Sequence, residues 1–307
     1  VNNFDPGTVS AAQTICEGDI PAPFTSVAPS GDGNFTFQWQ SSSDGVSFSS
    51  ISGATAATYS PEALNVDTWF RRQVTSDLNS MSCIEYTPSV KITVNNLQPG
   101  TIGGAQTICE SSIPTPLTSV AATGDGTITY QWQESTDNGL TWANVAAGGN
   151  AATYAPPALS ADMWYKRIAT SDLGGQLCPA ESNTIKITVV NFDPGSIATD
   201  QTICEGTAPA AFTSVSPSGV GSFTYRWFRS IDGSSFAVIG MAVSETYSAG
   251  NLAQDTWYYR EVTATVGATS CVANTDTIRI TVNNFNPGSI NADQTVCEGE
   301  DPGVINS

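Results

Sequence analysis

Phe35-Thr36-Phe37-Gln38-Trp39-Gln40 alternates aromatic and polar side chains with a period of two, the pattern of a strand with one face buried. The alternation returns at Ile128-Thr129-Tyr130-Gln131-Trp132 and at Phe223-Thr224-Tyr225-Arg226-Trp227. Just beyond it, Asp44-Gly45, Asn138-Gly139 and Asp232-Gly233 supply the positive φ that a hairpin turn requires. A second aromatic strand starts at Trp69-Phe70-Arg71-Arg72 and is matched from Trp164 and from Trp257. Val90, Ile92 and Val94 alternate in a closing strand, matched by Ile185-Ile187-Val189 and Ile278-Ile280-Val282. No window carries a helical period, and Gly, Pro and Ser punctuate the chain densely. The expected fold class is all-β, with tandem Ig-like antiparallel β-sandwich domains in an extended rod.

The alternation belongs to a repeat. Gly7, Gly100, Gly195 and Gly288, each after a proline, are 93, 95 and 93 residues apart. Cys16, Cys109, Cys204 and Cys297 keep the same intervals within a Q-T-[IV]-C-E string. A second cysteine follows at Cys83, Cys178 and Cys271, after 67, 69 and 67 residues. The expected organisation is therefore the end of a preceding repeat at 1–4, repeats at 5–96, 97–191 and 192–284, and the start of a truncated fourth at 285–307. Both ends read as cut from a longer array. Copy two carries two extra residues, expected near Asp137-Asn138-Gly139 and Gly148-Gly149-Asn150, where surface turns tolerate insertion. The junctions, Asn-Asn-Phe/Leu-x-Pro-Gly, are too short to act as flexible tethers.

Composition narrows the function. The net charge of −18 comes from 10 basic against 28 acidic residues, and only 12% of residues are charged. Without a basic patch to neutralise phosphate, nucleic acid is not an expected partner. No apolar run is long enough for a membrane span, so no membrane insertion is expected of this segment.

Six cysteines fall into equivalent pairs, which points to an oxidising compartment and a structural staple in each copy, Cys16 with Cys83 in the first. Closing a loop that long contributes about 4 kcal/mol in the chain-entropy account. Cys109 with Cys178, and Cys204 with Cys271, are the corresponding cysteines, and Cys297 is left over as the cysteine of the truncated repeat. There is no CxxC spacing and no histidine, so no metal site is expected and histidine-dependent catalysis is excluded. The recurring acids, Glu17, Glu110, Glu205 and Glu298 and Asp67, Asp162 and Asp255, read as turn or salt-bridge residues. No enzyme is expected.

Calcium could stiffen acidic junctions, but the residue before Pro-Gly is Asp5, Gln98, Asp193 or Asn286, and Asp32 and Asp125 give way to Val220. No repeated site and no cofactor follow, although the pattern leaves room for an isolated weak calcium site. Lys91 and Lys186 become Arg279, which excludes a repeated isopeptide bond. Trp39, Trp132 and Trp227, with Trp69, Trp164 and Trp257, read as core. Arg72, Arg167 and Arg260 read as partly buried, paired arginines. Trp142, replaced by Phe48 and Phe236 in the other copies, is the one candidate ligand-binding aromatic, beside the inserted turn.

The series Gly7, Cys16, Trp39, Asp44-Gly45, Tyr59, Leu64, Asp67, Trp69, Arg72, Cys83 and Val94, with its copies, resembles the Ig-like repeats of giant Bacteroidota cell-surface adhesins, those of the SprB-type gliding-motility adhesins in particular. The resemblance implies type IX secretion, display on the outer-membrane surface, and surface motility and secretion machinery as partners. The expected function is a non-catalytic stalk segment, extending and bearing load for attachment and gliding, with neighbouring repeats of the same chain as its first partners. The alternative is a carbohydrate-binding or accessory module array of a secreted polysaccharide-degrading protein, with extracellular polysaccharide as the partner.

Overall fold

A computed structural model describes residues 1–290 and 293–304. Every regular element among them is a strand. In the first repeat an opening strand (Gln13–Cys16) lies at one edge of the main sheet, next to the closing strand (Val90–Asn95). The arginine strand (Thr68–Leu78) comes next, and the tryptophan strand (Asn34–Ser42) lies beyond it. The arginine strand is long enough to serve two partners on one side. Its first residues pair with the closing strand at Thr68↔Ile92 through Phe70↔Val90, and its later ones with the cysteine strand (Met81–Tyr86) at Gln73↔Tyr86 through Leu78↔Met81. At the break between those two partners the Thr87 hydroxyl accepts from the Arg72 N–H at 3.0 Å, so the ladder loses no hydrogen bond.

One pairing departs from an all-antiparallel reading. The opening strand runs parallel to the closing strand, with Gln13↔Ile92 and Cys16↔Asn95 in register. A short edge strand can adopt this direction because nearly the whole repeat separates it from its partner. Repeat three has the same set: Gln201–Cys204 parallel to Ile278–Asn283, with the arginine strand Thr256–Val266, the tryptophan strand Ser222–Ser230 and the cysteine strand Thr269–Asn274. Repeat two carries the tryptophan, arginine, cysteine and closing strands at Thr127–Ser135, Met163–Leu173, Gln176–Glu181 and Ile185–Val190.

The second layer is thinner, built from two-residue pairings and single bridges such as Phe24↔Tyr59, Leu117↔Tyr154 and Thr207↔Leu252. Between the layers the indoles of Trp39, Trp132 and Trp227 are 0% exposed. Each donates its N–H to a loop carbonyl, Ala56, Ala151 and Ser244 respectively, at 2.9–3.0 Å. Around Trp39 stand Ile15, Phe24, Phe70, Ile92 and Val94, and the partly buried Ile203 with Phe212, Tyr258, Ile280 and Val282 repeat the arrangement around Trp227. A buried tryptophan on a central strand, with the opening strand beside the last one, makes each repeat an Ig-like sandwich.

The two extra residues of repeat two enter one in each of two turns. The turn between the tryptophan strand and its short partner is 136–142, against 43–48 and 231–236 in the other copies. The next turn also grows by one: the Trp132 N–H donates to the Gly149 carbonyl and its carbonyl accepts from the Val145 N–H, where Trp39 uses Ala54 and Ile51. The core register is untouched.

The chain divides into two compact units. Val1–Gln106 and Ile113–Thr188 form one, and Thr107–Ser112 joins Val189 onward in the other. The segment carrying Cys109 therefore belongs with the third repeat. Of the expected truncated fourth copy, 291–292 and 305–307 lie outside the described residues, and the described part forms no strand.

Candidate functional site

The cysteines do not pair within repeats. Cys16 bonds Cys178 and Cys109 bonds Cys271, each with Cα atoms 5.5 Å apart and a sequence separation of 162. Cys83, Cys204 and Cys297 are free. The expected Cys16–Cys83 staple is thus corrected, and the strand register gives the reason. Cys16 lies three residues beyond the Thr68↔Ile92 level, whereas Cys83 is paired with Ser76, eight residues in the other direction. Eleven residues at ~3.3 Å per residue put about 36 Å between the two cysteines, far beyond the Cα spacing a disulfide spans. They mark opposite poles of one repeat.

At the pole where repeat one meets repeat two, a polar pair backs the disulfide. Asn95, in register with Cys16, donates to the Ser171 carbonyl at 3.0 Å and accepts from the Ser171 hydroxyl at 2.6 Å. Ser171 is in turn the register partner of Cys178. A covalent link and a reciprocal hydrogen bond therefore stand side by side, with Asn95 and Ser171 both fully buried. Gln176 adds its carbonyl to the Asn95 amide at 3.1 Å and its own amide to the Cys16 sulfur at 3.6 Å. Around Cys109 and Cys271 the same positions are apolar. Val190, Ala264 and Cys271 are buried there, with the partly buried Cys109, Phe192 and Phe223 packed against them. Each solution leaves no buried polar group without a partner at this spot.

Arg72, Arg167 and Arg260, each 0% exposed, hold the pole from inside. None meets a carboxylate. Arg72 donates to the carbonyls of Ala57, Pro6 and Val27 at 2.9, 2.9 and 3.0 Å. Arg167 binds those of Ala152, Pro99 and Val120 at 2.7, 3.0 and 2.9 Å, and Arg260 those of Glu245, Pro194 and Val215 at 2.9, 2.8 and 3.0 Å. The guanidinium also lies over Phe37, Tyr130 or Tyr225, with centroid distances of 4.8, 4.4 and 5.4 Å. Burial pushes all three guanidinium pKa values down, though arginine stays charged. The arginine expected as partly buried and paired is fully buried instead, with backbone oxygens as its partners. The Pro-Gly step it clamps needs glycine: at Gly100 φ is +69°, and a Cβ would come within 2.3 Å of the Val120 oxygen that Arg167 binds.

The acidic residues act as acceptors. Asp67 pairs with Lys91 at 2.6 Å and caps the Val94 N–H at 2.8 Å, and Asp255 does the same with Arg279 and Val282. Asp162 pairs with Lys186 at 2.6 Å. These cations also lie over Trp69, Trp257 and Trp164. Asp5 and Asp193 accept from Gly7 and Gly195, and Asp125 takes the Asn96 N–H and side-chain amide. No three acidic or thiol groups converge as metal ligands among the described residues.

Asp137 accepts from the Ser135 hydroxyl at 2.6 Å and from the Thr141 hydroxyl and N–H at 2.5 and 2.9 Å, which holds its carboxyl down to about 2 from 3.8. Since the folded value lies below the unfolded one, the turn's contribution to stability is present above 3.8 and disappears as pH falls toward 2. NMR titration of the Asp137 carboxyl carbon is expected to give a midpoint near 2. A midpoint at the ordinary value would show that the turn does not hold it.

Trp142 borders an open cleft of ≈ 450 Å³ together with Asn138, Trp164, Lys166, Glu181 and Lys186. Its N–H is committed to the Gly139 carbonyl at 3.1 Å, and the Lys166 ammonium, bound to Glu181 at 2.7 Å, covers its ring at 4.7 Å. In the first repeat Arg71 is sandwiched between Phe48 and Tyr86 at the same place, at 4.1 and 4.0 Å. In the third, Phe236 meets Tyr259 at 4.9 Å. Trp142 is therefore that repeat's version of a packing cluster the other two copies also build.

The family model of a domain of unknown function, DUF8696, matches residues 5–96, 98–191 and 193–284. No curated protein matches the chain in sequence. Among solved structures, the chain is similar to the three N-terminal domains of the bacteriophage RB49 highly immunogenic outer capsid protein, at 14% identity over 92% of this chain and 100% of that one, with a TM-score of 0.37. It is also similar to an I-band fragment of titin, at 12% identity over 90% and 98%, with a TM-score of 0.47. The N-terminal four Ig domains of Dscam1 match at 12% identity over 90% and 72%, with a TM-score of 0.28.

Proposed function

We propose that this chain, which belongs to the DUF8696 family as three tandem members, is a non-catalytic, load-bearing stalk segment of a long repetitive adhesin displayed on a bacterial surface. The observation that carries the reading is that both disulfides join one repeat to the next, Cys16 to Cys178 and Cys109 to Cys271. Such bonds add nothing to a ligand site within a repeat, but they keep neighbours joined when a sandwich opens. They also require an oxidising compartment, in keeping with an extracellular protein. The recurring side chains are spent on the fold: tryptophan in the core, arginine on three carbonyls, aspartate on a turn.

The finer reading, a gliding-motility adhesin exported by type IX secretion and held at the outer membrane, draws its support from the resemblance of the repeat motif to SprB-type adhesins. Its first partners are neighbouring repeats, and the motility and secretion machinery would stand at its base. The test combines display and redox state. In intact cells of the source organism, an antibody to the repeats is expected to label the surface without permeabilisation. Cys16, Cys178, Cys109 and Cys271 in the protein stripped from those cells are expected to resist alkylation until reduced. An intracellular protein with all four thiols free would overturn the reading.

A further inference from the structure

The two cross-repeat staples use only four cysteines, and the surroundings of a fifth reproduce half of such a staple. Cys83 is the register partner of Ser76, as Cys178 is of Ser171. The Ser76 groups are already engaged as those of Ser171 are. Asn2 donates to the Ser76 carbonyl at 3.0 Å and accepts from its hydroxyl at 3.1 Å. Val1-Asn2-Asn3-Phe4 thus occupies on repeat one the place that Val94-Asn95-Asn96-Leu97 occupies on repeat two. Phe4 completes the match by packing on Phe35, ring centroids 5.7 Å apart. In the next junction a parallel opening strand sets Cys16 level with Asn95, which makes the position level with Asn2 the place for the corresponding cysteine of a repeat ahead. The complementary half stands at Cys204, exposed and in register with Asn283.

We infer that Cys83 is the acceptor of a third cross-repeat staple, taking the Q-T-[IV]-C-E cysteine of a DUF8696 repeat joined directly ahead of Val1, and that the residue pair beside each staple matches neighbour to neighbour. The pair is Asn with Ser at Asn95–Ser171 and Asn2–Ser76, and Val with Ala at Val190–Ala264. Crossing the sets places an apolar side chain against the hydroxyl of a buried serine, or an amide against a methyl group. The first takes the amide donor from the serine carbonyl, while at Ser76 the hydroxyl keeps the Asp32 carbonyl; the second leaves the amide oxygen without its donor. The bond forms by thiol–disulfide exchange. The two thiols give up two protons and two electrons to an oxidant of the disulfide class, whose S–S bond is cleaved to two thiols as the new S–S bond is made. The inference concerns how repeats join and does not depend on where the array is displayed.

The test adds a second copy of residues 193–281 ahead of Val1 in the full chain, so that its last residue, Thr281, runs into Val1-Asn2 as Thr281 runs into Val282-Asn283 in the original. After equilibration in a glutathione redox buffer, non-reducing peptide mapping is expected to show Cys83 joined to the added copy's Cys204. Alkylation of Cys83, complete in the original chain, should then fall to a small fraction. Cys83 remaining fully alkylated, or joined to Cys16, would overturn the inference. In the extended chain, Asn2→Val is expected to lower the ratio of stapled to free Cys83 by about tenfold, corresponding to one unsatisfied buried group. Ser76→Ala added to it should restore the ratio. Equal ratios in all three chains would overturn the matching of neighbours, and an intact Cys109–Cys271 bond in the same molecules shows that each variant has folded.

Discussion

Arg167→Met is expected to lower the stability of the second repeat by about 3–5 kcal/mol, the low end of what three buried carbonyls cost when they lose their donor. The methionine fills most of the volume, so the loss is one of hydrogen bonds and not of a cavity. Three carbonyls, those of Ala152, Pro99 and Val120, lose their shared donor inside the fold. Each is a desolvated acceptor costing about 1–3 kcal/mol when left alone. Three strands of chain distant in sequence also lose their common tie. Lys186→Met is the control: its ion pair with Asp162 is half-exposed, with side-chain exposures of 39% and 35%, and its loss should cost under ~1 kcal/mol. Native-state hydrogen exchange along Met163–Leu173, the arginine strand, reads both variants in the intact chain. Equal protection in the two would show that the buried guanidinium carries no special share of stability. Because the charge meets only neutral oxygens, the Arg167 contribution should also be insensitive to salt.

The tryptophan core, the three strand sets and the places of the two inserted residues were legible in the sequence, because each has a local signature. A period of two fixes which side chains point inward, and Asp-Gly or Asn-Gly fixes where the chain turns back. The partners of Arg72, Arg167 and Arg260 were not legible, since a loop carbonyl has no side-chain identity to read. The only trace of them was the Pro-Gly step that recurs in every copy. The cysteine pairing was misleading for a different reason. In a perfect repeat, pairing within a copy and pairing with the next copy give equally regular intervals, so spacing cannot choose between them. Strand register chooses, by putting Cys16 and Cys83 at opposite ends of the sheet. One sequence signal did exist. Asn95 and Ser171 become Val190 and Ala264 together, a paired change that adjacency across a junction explains and distance within one repeat does not.

Pulling a single molecule by its ends is expected to give one large extension step and two small ones while the disulfides are intact, and three large, nearly equal steps once they are reduced. The covalent network dictates this. Load entering at Val1 reaches Cys16 and crosses to Cys178, and load leaving at the other end is drawn from Cys271, which is tied to Cys109. Repeat two is therefore pulled between its own two cysteines, against the chain direction, and its opening frees the 69 residues from Cys109 to Cys178. At ~3.5 Å per residue that is about 240 Å of contour length. The alternative routes, from Cys16 forward to Cys109 or from Cys178 forward to Cys271, are 93 residues each and stay slack. In the first repeat only the residues ahead of Cys16 lie on the loaded path, about 55 Å, so its sandwich can open with little change in length. Reduction places every residue on the path, and each repeat should then release about 330 Å. A staple within each repeat would instead leave roughly 25 residues per repeat on the path, or about 90 Å. Three equal steps of that size in the oxidised chain would overturn the cross-repeat pairing. Repeat two, once opened, remains covalently bridged to both neighbours, so its extension under load stays below that of the reduced chain.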